Sequence, residues 1–218
     1  MDNLNLAKKC ILFKELEKMD FQALLRCLYV RIKTYKAQEI IEYEGSSAKN
    51  AYVILSGHAR SAYFDEVGNA LPGIDFFKDS IFGLEYINIK NPVYKEEFYA
   101  VEETTVMICN LFKLLTPCEN RCPRHHHVIN KCILEYARLL TKEKERITEL
   151  GKSKTRDKVL VYLKNNIKKT NVFVRIPYNR QELADYLGVE RSALSYELSK
   201  LKKEGLIDYN KSLFMLLD

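Results

Sequence analysis

The stretch that most constrains the fold is NRQELADYLGVERSALSYELSKLKKEGLI, residues 179–207. Asn179 is a favourable N-cap residue, and Glu182, three positions later, can complete a capping box. The apolar positions that follow share one helical face: Leu183, Ala184 and Leu187. Gly188 can end this helix because glycine adopts the left-handed conformation without a steric penalty. The pattern therefore predicts a short helix and a tight turn.

A second helix is predicted to begin near Glu190. Its apolar residues recur at helical spacing: Leu194, Leu198 and Leu201. Two helices joined by a glycine turn form a helix-turn-helix, whose second helix enters the major groove of DNA. An ordinary helical hairpin has similar spacing. The small Ala184, the Gly188 turn and the polar, basic outer face favour the DNA-binding interpretation.

The net positive charge of the chain is confined to its last third. The whole chain carries 35 Lys and Arg against 29 Asp and Glu, a formal net charge of +6. Residues 152–218 contain 14 of the basic and 8 of the acidic residues, whereas residues 1–151 contain 21 of each sign. A lysine-rich surface often serves solubility alone. Because this excess coincides with the helix-turn-helix, it favours salt-dependent attraction to DNA phosphates.

Length and composition favour a globular protein of the cytosol. The 218 residues, 47% of them hydrophobic, suffice for one large domain or two modest ones. No apolar run of about 18 residues and no signal-peptide core is present, so we expect a cytoplasmic protein without a membrane partner. The six cysteines lack the spacing of a secreted disulfide framework and are expected to be reduced.

Between residues 30 and 111 the hydrophobic period changes to two, after helical spacing in residues 4–28. Short β-prone runs are separated by five glycines: Gly45, Gly57, Gly68, Gly73 and Gly83. Regular short strands of this kind predict an antiparallel barrel or sandwich. The segment 65–69 is typical of a hairpin turn.

A long helix is predicted after Pro123. Its mostly apolar seam occupies two alternating heptad positions: Ile133, Leu140 and Ile147 at one, and Ile129, Tyr136, Glu143 and Leu150 at the other. Such a seam favours pairing with a second copy of the same helix, since the remaining face is highly charged. Packing on the chain's own β-region is the alternative. Residues 151–154 are predicted to form a hinge.

The C-terminal third is predicted to be a smaller domain. We expect a helix over about residues 155–168, a strand over 172–176 and, after the helix-turn-helix, a hairpin of residues 206–209 and 213–216. A hairpin in that place is the wing of a winged helix. The predicted parts are a sensing β-domain (1–127), a dimerisation helix (128–151) and a winged helix-turn-helix (152–218).

This order of parts resembles the cyclic-AMP receptor protein / fumarate-nitrate regulator (Crp/Fnr) family of bacterial transcription factors. The resemblance covers nearly the whole chain and is carried by the segment 179–207, by EYEG and YVILSGHAR, and by Gly83. It implies an α+β fold: an N-terminal antiparallel β-roll (a cyclic-nucleotide-binding-like jelly roll), a long central dimerisation helix and a C-terminal winged helix-turn-helix. It also implies a homodimer that binds a palindromic site on double-stranded DNA, contacts RNA polymerase and responds to a small-molecule effector in the β-roll.

The resemblance assigns roles to individual residues of the helix-turn-helix. Arg191 matches a position where the family often has an arginine that grips guanine O6 and N7. Ser192 and Tyr196 replace a cytosine-reading Glu and a second base-reading Arg, so the family's usual half-site is not expected. Four further residues are expected mainly to position the protein on phosphate and sugar: Arg180, Gln181, Ser195 and Lys200. Glu190 completes the set of predicted DNA-binding residues.

The stretch that corresponds to the family's effector site lacks the Arg-Ser pair of cyclic-nucleotide binders. Glu96 and Glu97 would repel a phosphate, so cyclic AMP is not the expected effector and the cofactor stays unknown. The predicted effector-binding residues are Phe82, Gly83, Leu84, Glu85, Tyr94 and Phe98. The aromatic residues of this region could line a pocket for an apolar or aromatic molecule, or could simply be barrel core.

A metal or redox signal is the alternative. Cys118, Cys122 and His125 are spaced as soft ligands for zinc, iron or copper, and the two thiols could instead form a disulfide. The competing interpretation is a polar turn with idle cysteines and no metal. His58 is predicted to face solvent.

With no nucleophile elbow and no phosphate loop, we expect a regulator and not an enzyme. The localised positive charge disfavours an adaptor protein.

Overall fold

The computed structural model describes residues 3–14, 16, 21–64, 66–68, 70–86, 90–116 and 123–218. The chain divides into two compact units, Met1–Arg138 and Leu139–Asp218. The long helix α4 (Pro123–Leu150) contributes residues to each of them.

The N-terminal unit is built on two four-stranded antiparallel sheets. Their strands are β1 (Arg31–Tyr35), β2 (Ile40–Glu42), β3 (Asn50–Ser56), β4 (His58–Phe64), β5 (Ala70–Phe77), β6 (Ile81–Phe82), β7 (Glu97–Ala100) and β8 (Thr104–Asn110). One sheet has the order β1-β8-β3-β6 and the other β2-β7-β4-β5. The antiparallel β-roll is therefore confirmed. Three helices accompany it: α1 (Asn3–Lys9), α2 (Phe21–Cys27) and α3 (Leu111–Leu115).

Aromatic side chains from both sheets fill the core of this unit. The Phe82 ring stacks on the Phe98 ring with centroids 4.5 Å apart and on the Tyr52 ring at 4.8 Å. Phe76 and Tyr94 pack against the same group. All five side chains are almost fully buried. The period-two pattern of the sequence arises from these inward positions.

Residues 4–28, which have helical spacing in the sequence, contain the two short helices α1 and α2. The carbonyl oxygen of Cys10 accepts the N–H groups of both Phe13 and Lys14, which makes a turn after α1. The N–H of Ile11 donates to the Asp79 carboxylate at 3.0 Å. This tertiary bond fixes the turn, and local periodicity contains no signal for it.

The C-terminal unit contains α5 (Thr155–Asn166), α6 (Arg180–Leu187) and α7 (Arg191–Lys203). A three-stranded sheet of order β10-β11-β9 completes it, with strands β9 (Val174–Arg175), β10 (Ile207–Asn210) and β11 (Leu213–Leu216). The predicted strand over 172–176 is thus shorter than expected. The winged helix-turn-helix is confirmed, and its core is a single cluster of buried aliphatic and aromatic residues.

Candidate nucleic-acid interface

Helix α6 begins at a side-chain cap. The Asn179 Oδ1 atom accepts the backbone N–H of Glu182 at 3.0 Å, and the Glu182 Oε2 atom accepts the backbone N–H of Asn179 at 2.7 Å. This is the predicted capping box, and it satisfies donors that a helix start leaves without helical partners. It also fixes the main chain at Arg180, the first residue of α6.

The turn between α6 and α7 is set by Gly188, whose φ of +58° is left-handed. Its N–H donates to carbonyl oxygens of Ala184 and Asp185. The Nζ of Lys158, on α5, donates to the Leu187 carbonyl oxygen at 3.0 Å, where a cation complements the helix dipole. Ala184 is fully buried, and its small side chain allows the two helices to approach closely.

Helix α7 has one buried face and one exposed face. Leu194, Leu198 and Leu201 have no exposed surface. The exposed residues on the rest of the helix are Arg191, Ser192, Tyr196, Ser199, Lys200, Lys202 and Lys203. Tyr196 is 66% exposed, a large aromatic surface left in solvent. This face offers a planar cation, hydroxyl groups and an aromatic ring to a partner.

Most of the predicted DNA-binding residues therefore lie together. Ser195, which is half-buried, lies on α7 between the exposed residues Ser192 and Tyr196, and Glu190 immediately precedes the helix as its N-cap residue. Gln181, on α6, donates its Nε2 to the Asp185 carboxylate at 2.8 Å. Their roles in DNA contact stay predictions.

Arg180 differs from the other predicted contacts because it is half-buried and packs on the wing. Its Cζ lies 4.6 Å from the Tyr209 ring centroid and 4.9 Å from that of Phe214. Sequence reasoning missed this ring pair. The signal was present, since Tyr209 and Phe214 are opposite each other in the register of the predicted hairpin.

The apolar seam of α4 is exposed along much of its length. Ile133, Leu140 and Ile147, the residues of one heptad position, are 58%, 47% and 68% exposed. By contrast, Val128 and Cys132 on the same helix are fully buried. Pairing of this exposed seam with a second copy of the helix stays a prediction.

The predicted effector residues lie in and around the aromatic core of the β-roll. Phe82, Tyr94 and Phe98 are each at most 1% exposed, and Leu84 is also buried. Gly83 has φ of +90° and lies so near the Asn50 carbonyl oxygen that a Cβ would be 2.7 Å from it. The burial of these rings agrees with the barrel-core interpretation; an effector site here stays a prediction.

Two carboxylates accompany these rings. Burial raises the pKa of Glu96 above its usual value, although hydrogen bonds from the Tyr63 and Tyr86 hydroxyls lower it in part. Burial likewise raises the pKa of Glu85, and the charge of Glu96 adds to that effect. The stretch thus places two acidic side chains beside the aromatic cluster, and burial favours their neutral form.

Cys118 and Cys122 lie outside the described residues. His125 is buried, and its Nε2 is 3.3 Å from the Leu114 carbonyl oxygen. Among the described residues, no group of three His, Cys, Asp or Glu side chains could hold a metal ion. Burial raises the pKa of Cys10 and of Cys132 to about 12, which keeps both thiols protonated and unreactive at neutral pH.

The prediction that His58 faces solvent is wrong. The residue is 8% exposed, its Nε2 is 2.5 Å from the Asp75 carboxylate, and its ring stacks on Phe77. Its backbone N–H donates to the Thr104 hydroxyl at 3.0 Å. Asp75 comes from the neighbouring strand β5, so the partner that makes burial of His58 favourable is distant in sequence.

Across the described ranges, no helix is both long enough and apolar enough to cross a bilayer.

Residues 158–218 match a family model described as the Crp-like helix-turn-helix domain. No curated protein sequence matches the chain.

Three solved structures illustrate the fold similarity. A CooA mutant from Carboxydothermus hydrogenoformans has a TM-score of 0.72 at 18% identity, over 95% of this chain and 91% of that one. CLP, described as a c-di-GMP responsive global regulator of Xanthomonas campestris, has a TM-score of 0.68 at 17% identity, over 91% and 100%. FixK2 from Bradyrhizobium japonicum has a TM-score of 0.65 at 20% identity, over 87% and 93%. The chain shares their fold over most of its length.

Proposed function

We propose that this chain is a sequence-specific DNA-binding protein that acts as a homodimer on a palindromic site. Its Crp/Fnr fold and its Crp-like helix-turn-helix domain are those of transcription regulators and not of enzymes. The observation that carries the proposal is the division of α7: three leucines of zero exposure on one face, and Arg191, Ser192, Tyr196 and Lys200 exposed on the other. A helix with this division can lie in the major groove while remaining anchored in its domain.

Charge supports the same assignment. The net positive charge of residues 152–218 equals that of the whole chain, so cations concentrate on the unit that contains α7. Lys200 lies on the exposed side of the helix, and Arg191 lies in its first turn. A lysine so placed can neutralise a phosphate and release its counterion, while an arginine in the first turn can reach a base edge.

DNA binding measured against salt tests the proposal. A site is first selected from random DNA, because Ser192 and Tyr196 make the family's usual half-site unsafe. Affinity for that site should fall by orders of magnitude between 50 and 200 mM salt, as expected when several phosphates are neutralised. It should also exceed the affinity for random DNA by about a thousandfold or more. Equal affinity for the selected and random DNA would contradict sequence-specific recognition.

We propose that the exposed seam of α4 holds two copies together. Replacing Ile133 and Leu140 with Glu places two charges in a surface that would be buried in the dimer, and burial of an unpaired charge is costly. The double variant should sediment as a monomer in analytical ultracentrifugation. Arg138→Glu is the matched control, because it changes the net charge by the same amount at an exposed position off the seam. A full dimer in the double variant would show that the seam does not pair.

The signal is proposed to act in the β-roll and not to be cyclic AMP. Support comes from the absence of an Arg-Ser pair in residues 82–98, the stretch that corresponds to the family's effector site, and from the acidic groups Glu85 and Glu96 beside the aromatic cluster. RNA polymerase is the proposed further partner. The metal- or redox-responsive alternative gains no support from His125, which is buried against the Leu114 carbonyl oxygen.

A further inference from the structure

The wing of the DNA-binding unit contains an aromatic pair that is in contact with a single arginine of α6. Tyr209 on β10 and Phe214 on β11 are direct cross-strand neighbours, with ring centroids 5.7 Å apart and planes inclined by 30°. The Arg180 Cζ is 4.6 Å from the first centroid and 4.9 Å from the second. Both distances are within the range of a cation–π contact.

Both sides of this contact are held rigidly. The capping box of Asn179 and Glu182 fixes the main chain at Arg180. The hairpin register fixes the two rings, and Phe214 is fully buried in the core of the unit. Tyr209 is only half-buried, so it forms the outer part of the surface on which the guanidinium lies.

The charge of Arg180 is not neutralised locally. Among the residues that the structure describes, no carboxylate forms an ion pair with it, although burial of the side chain lowers its pKa. A guanidinium nevertheless remains charged at any physiological pH. Lys202 provides a comparison: its Nζ lies 5.2 Å from the same Tyr209 centroid, but it also lies 2.5 Å from the Asp208 carboxylate. Of the two cations beside the Tyr209 ring, Lys202 therefore has a carboxylate partner, and Arg180 has none among the described residues.

We propose that Tyr209 is a positioning residue that holds the Arg180 guanidinium ready for a DNA phosphate. The N–H donors of a guanidinium form a planar fork, and a phosphate is an anion that this fork matches. The contact fixes a long side chain before DNA arrives, so less conformational entropy is lost on binding. The inference rests on the DNA-binding function proposed above.

Four variants of the full chain test this role: Tyr209→Ile, Tyr209→Phe, Arg180→Ala and the double variant Tyr209→Ile/Arg180→Ala. Isoleucine suits a strand but removes the ring, whereas phenylalanine keeps the ring and loses only a hydroxyl whose contact with Ser199 is long, at 3.4 Å. Phe173→Ile is the matched control, because it removes a ring of the same unit that is 46% exposed and carries no described cation.

The expected result is a non-additive pattern of affinities for the selected site. Tyr209→Ile should weaken binding roughly three- to tenfold, the scale of a partly desolvated cation–π contact, and Tyr209→Phe should restore most of this loss. Tyr209→Ile should cost nothing further in the Arg180→Ala background. Phe173→Ile should change affinity less than twofold. A merely structural role of Tyr209 would give the same loss in both backgrounds, and that result overturns the proposal.

A second measurement reports the position of the guanidinium without DNA. The NMR signal of the Arg180 Nε–H should show the same ring-current shift in the unaltered chain and in Tyr209→Phe. In Tyr209→Ile this shift should change, because only the Phe214 ring then remains beside the guanidinium. If Tyr209→Ile does not fold, Tyr209→Leu takes its place. An unchanged Arg180 signal in a folded variant that lacks the Tyr209 ring overturns the proposal. Failure of DNA binding itself is distinguishable, because the unaltered chain would then bind no DNA while the NMR shift persisted.

Discussion

Helices α6 and α7, the two helices of the helix-turn-helix, begin in opposite ways. At the start of α6, the side chains of Asn179 and Glu182 cap the backbone, and Arg180 is stacked on the wing. At the start of α7, the N-cap residue Glu190 makes no side-chain capping bond to any described residue, and Arg191 and Ser192 are exposed. One helix start has its backbone capped and its arginine in contact with the wing, and the other has no side-chain cap and exposed side chains.

This difference teaches how positioning and reading can be divided between two helices. A side chain that is fixed in advance suits a phosphate, whose place is the same in every DNA sequence. A side chain that projects freely from the first turn of a recognition helix can adjust to the edge of a particular base. We therefore expect substitutions at α7 to change sequence preference, and substitutions at α6 to change stability and general affinity.

The largest effect is expected from Arg191→Ala. Removing a guanidinium that forms two hydrogen bonds with guanine should cost about 1 to 3 kcal/mol on the selected site and relax preference at one base pair per half-site. Arg180→Ala is the comparison, since it should weaken selected and random DNA about equally and flatten the salt slope by about one unit. Competition binding with both DNAs measures the two patterns.

Equal losses on selected and random DNA for Arg191→Ala would break the comparison between the helices. Arg191 would then be a phosphate contact like Arg180, and base reading would fall to Ser192, Ser195 or Tyr196. Lys200→Ala is a further control, because its position on the exposed side of α7 also predicts a loss that does not depend on sequence.

A smaller effect is expected from Asn179→Ala. The variant removes the acceptor for the Glu182 N–H and should lower the stability of α6 by about 1 kcal/mol. Amide hydrogen exchange in α6 measures this locally, which is preferable because a chain of two units need not unfold in one step. Glu182→Gln should lose much less, since an amide oxygen can still accept the Asn179 N–H. Unchanged exchange in Asn179→Ala would mean that tertiary packing alone fixes this helix start.

The capping box illustrates what sequence could predict, since it depends on residues three positions apart. The leucine stripe of α7, the Gly188 turn and the hairpin are equally local, and all were predicted. The pairing of His58 with Asp75 and the packing of Arg180 on Tyr209 and Phe214 were not. Each joins residues 17 or more positions apart through a strand pairing or a domain core, and hydrophobic periodicity carries no information on such partners.

The smallest effect is expected at the uncapped start of α7. Aspartate keeps the charge of Glu190 but is short enough to accept a backbone N–H in the first turn, so Glu190→Asp should stabilise α7 by about 0.5 kcal/mol. Glu190→Gln is the control, because it keeps the length and gains no cap, and it should lose a few tenths of a kcal/mol of favourable charge–dipole interaction. Hydrogen exchange in α7 measures both changes. If Glu190→Asp brings no protection, the first turn of α7 is already satisfied within the domain. The contrast with α6 would then lie in the exposure of Arg191 and Ser192 alone, and not in the capping of the two helices.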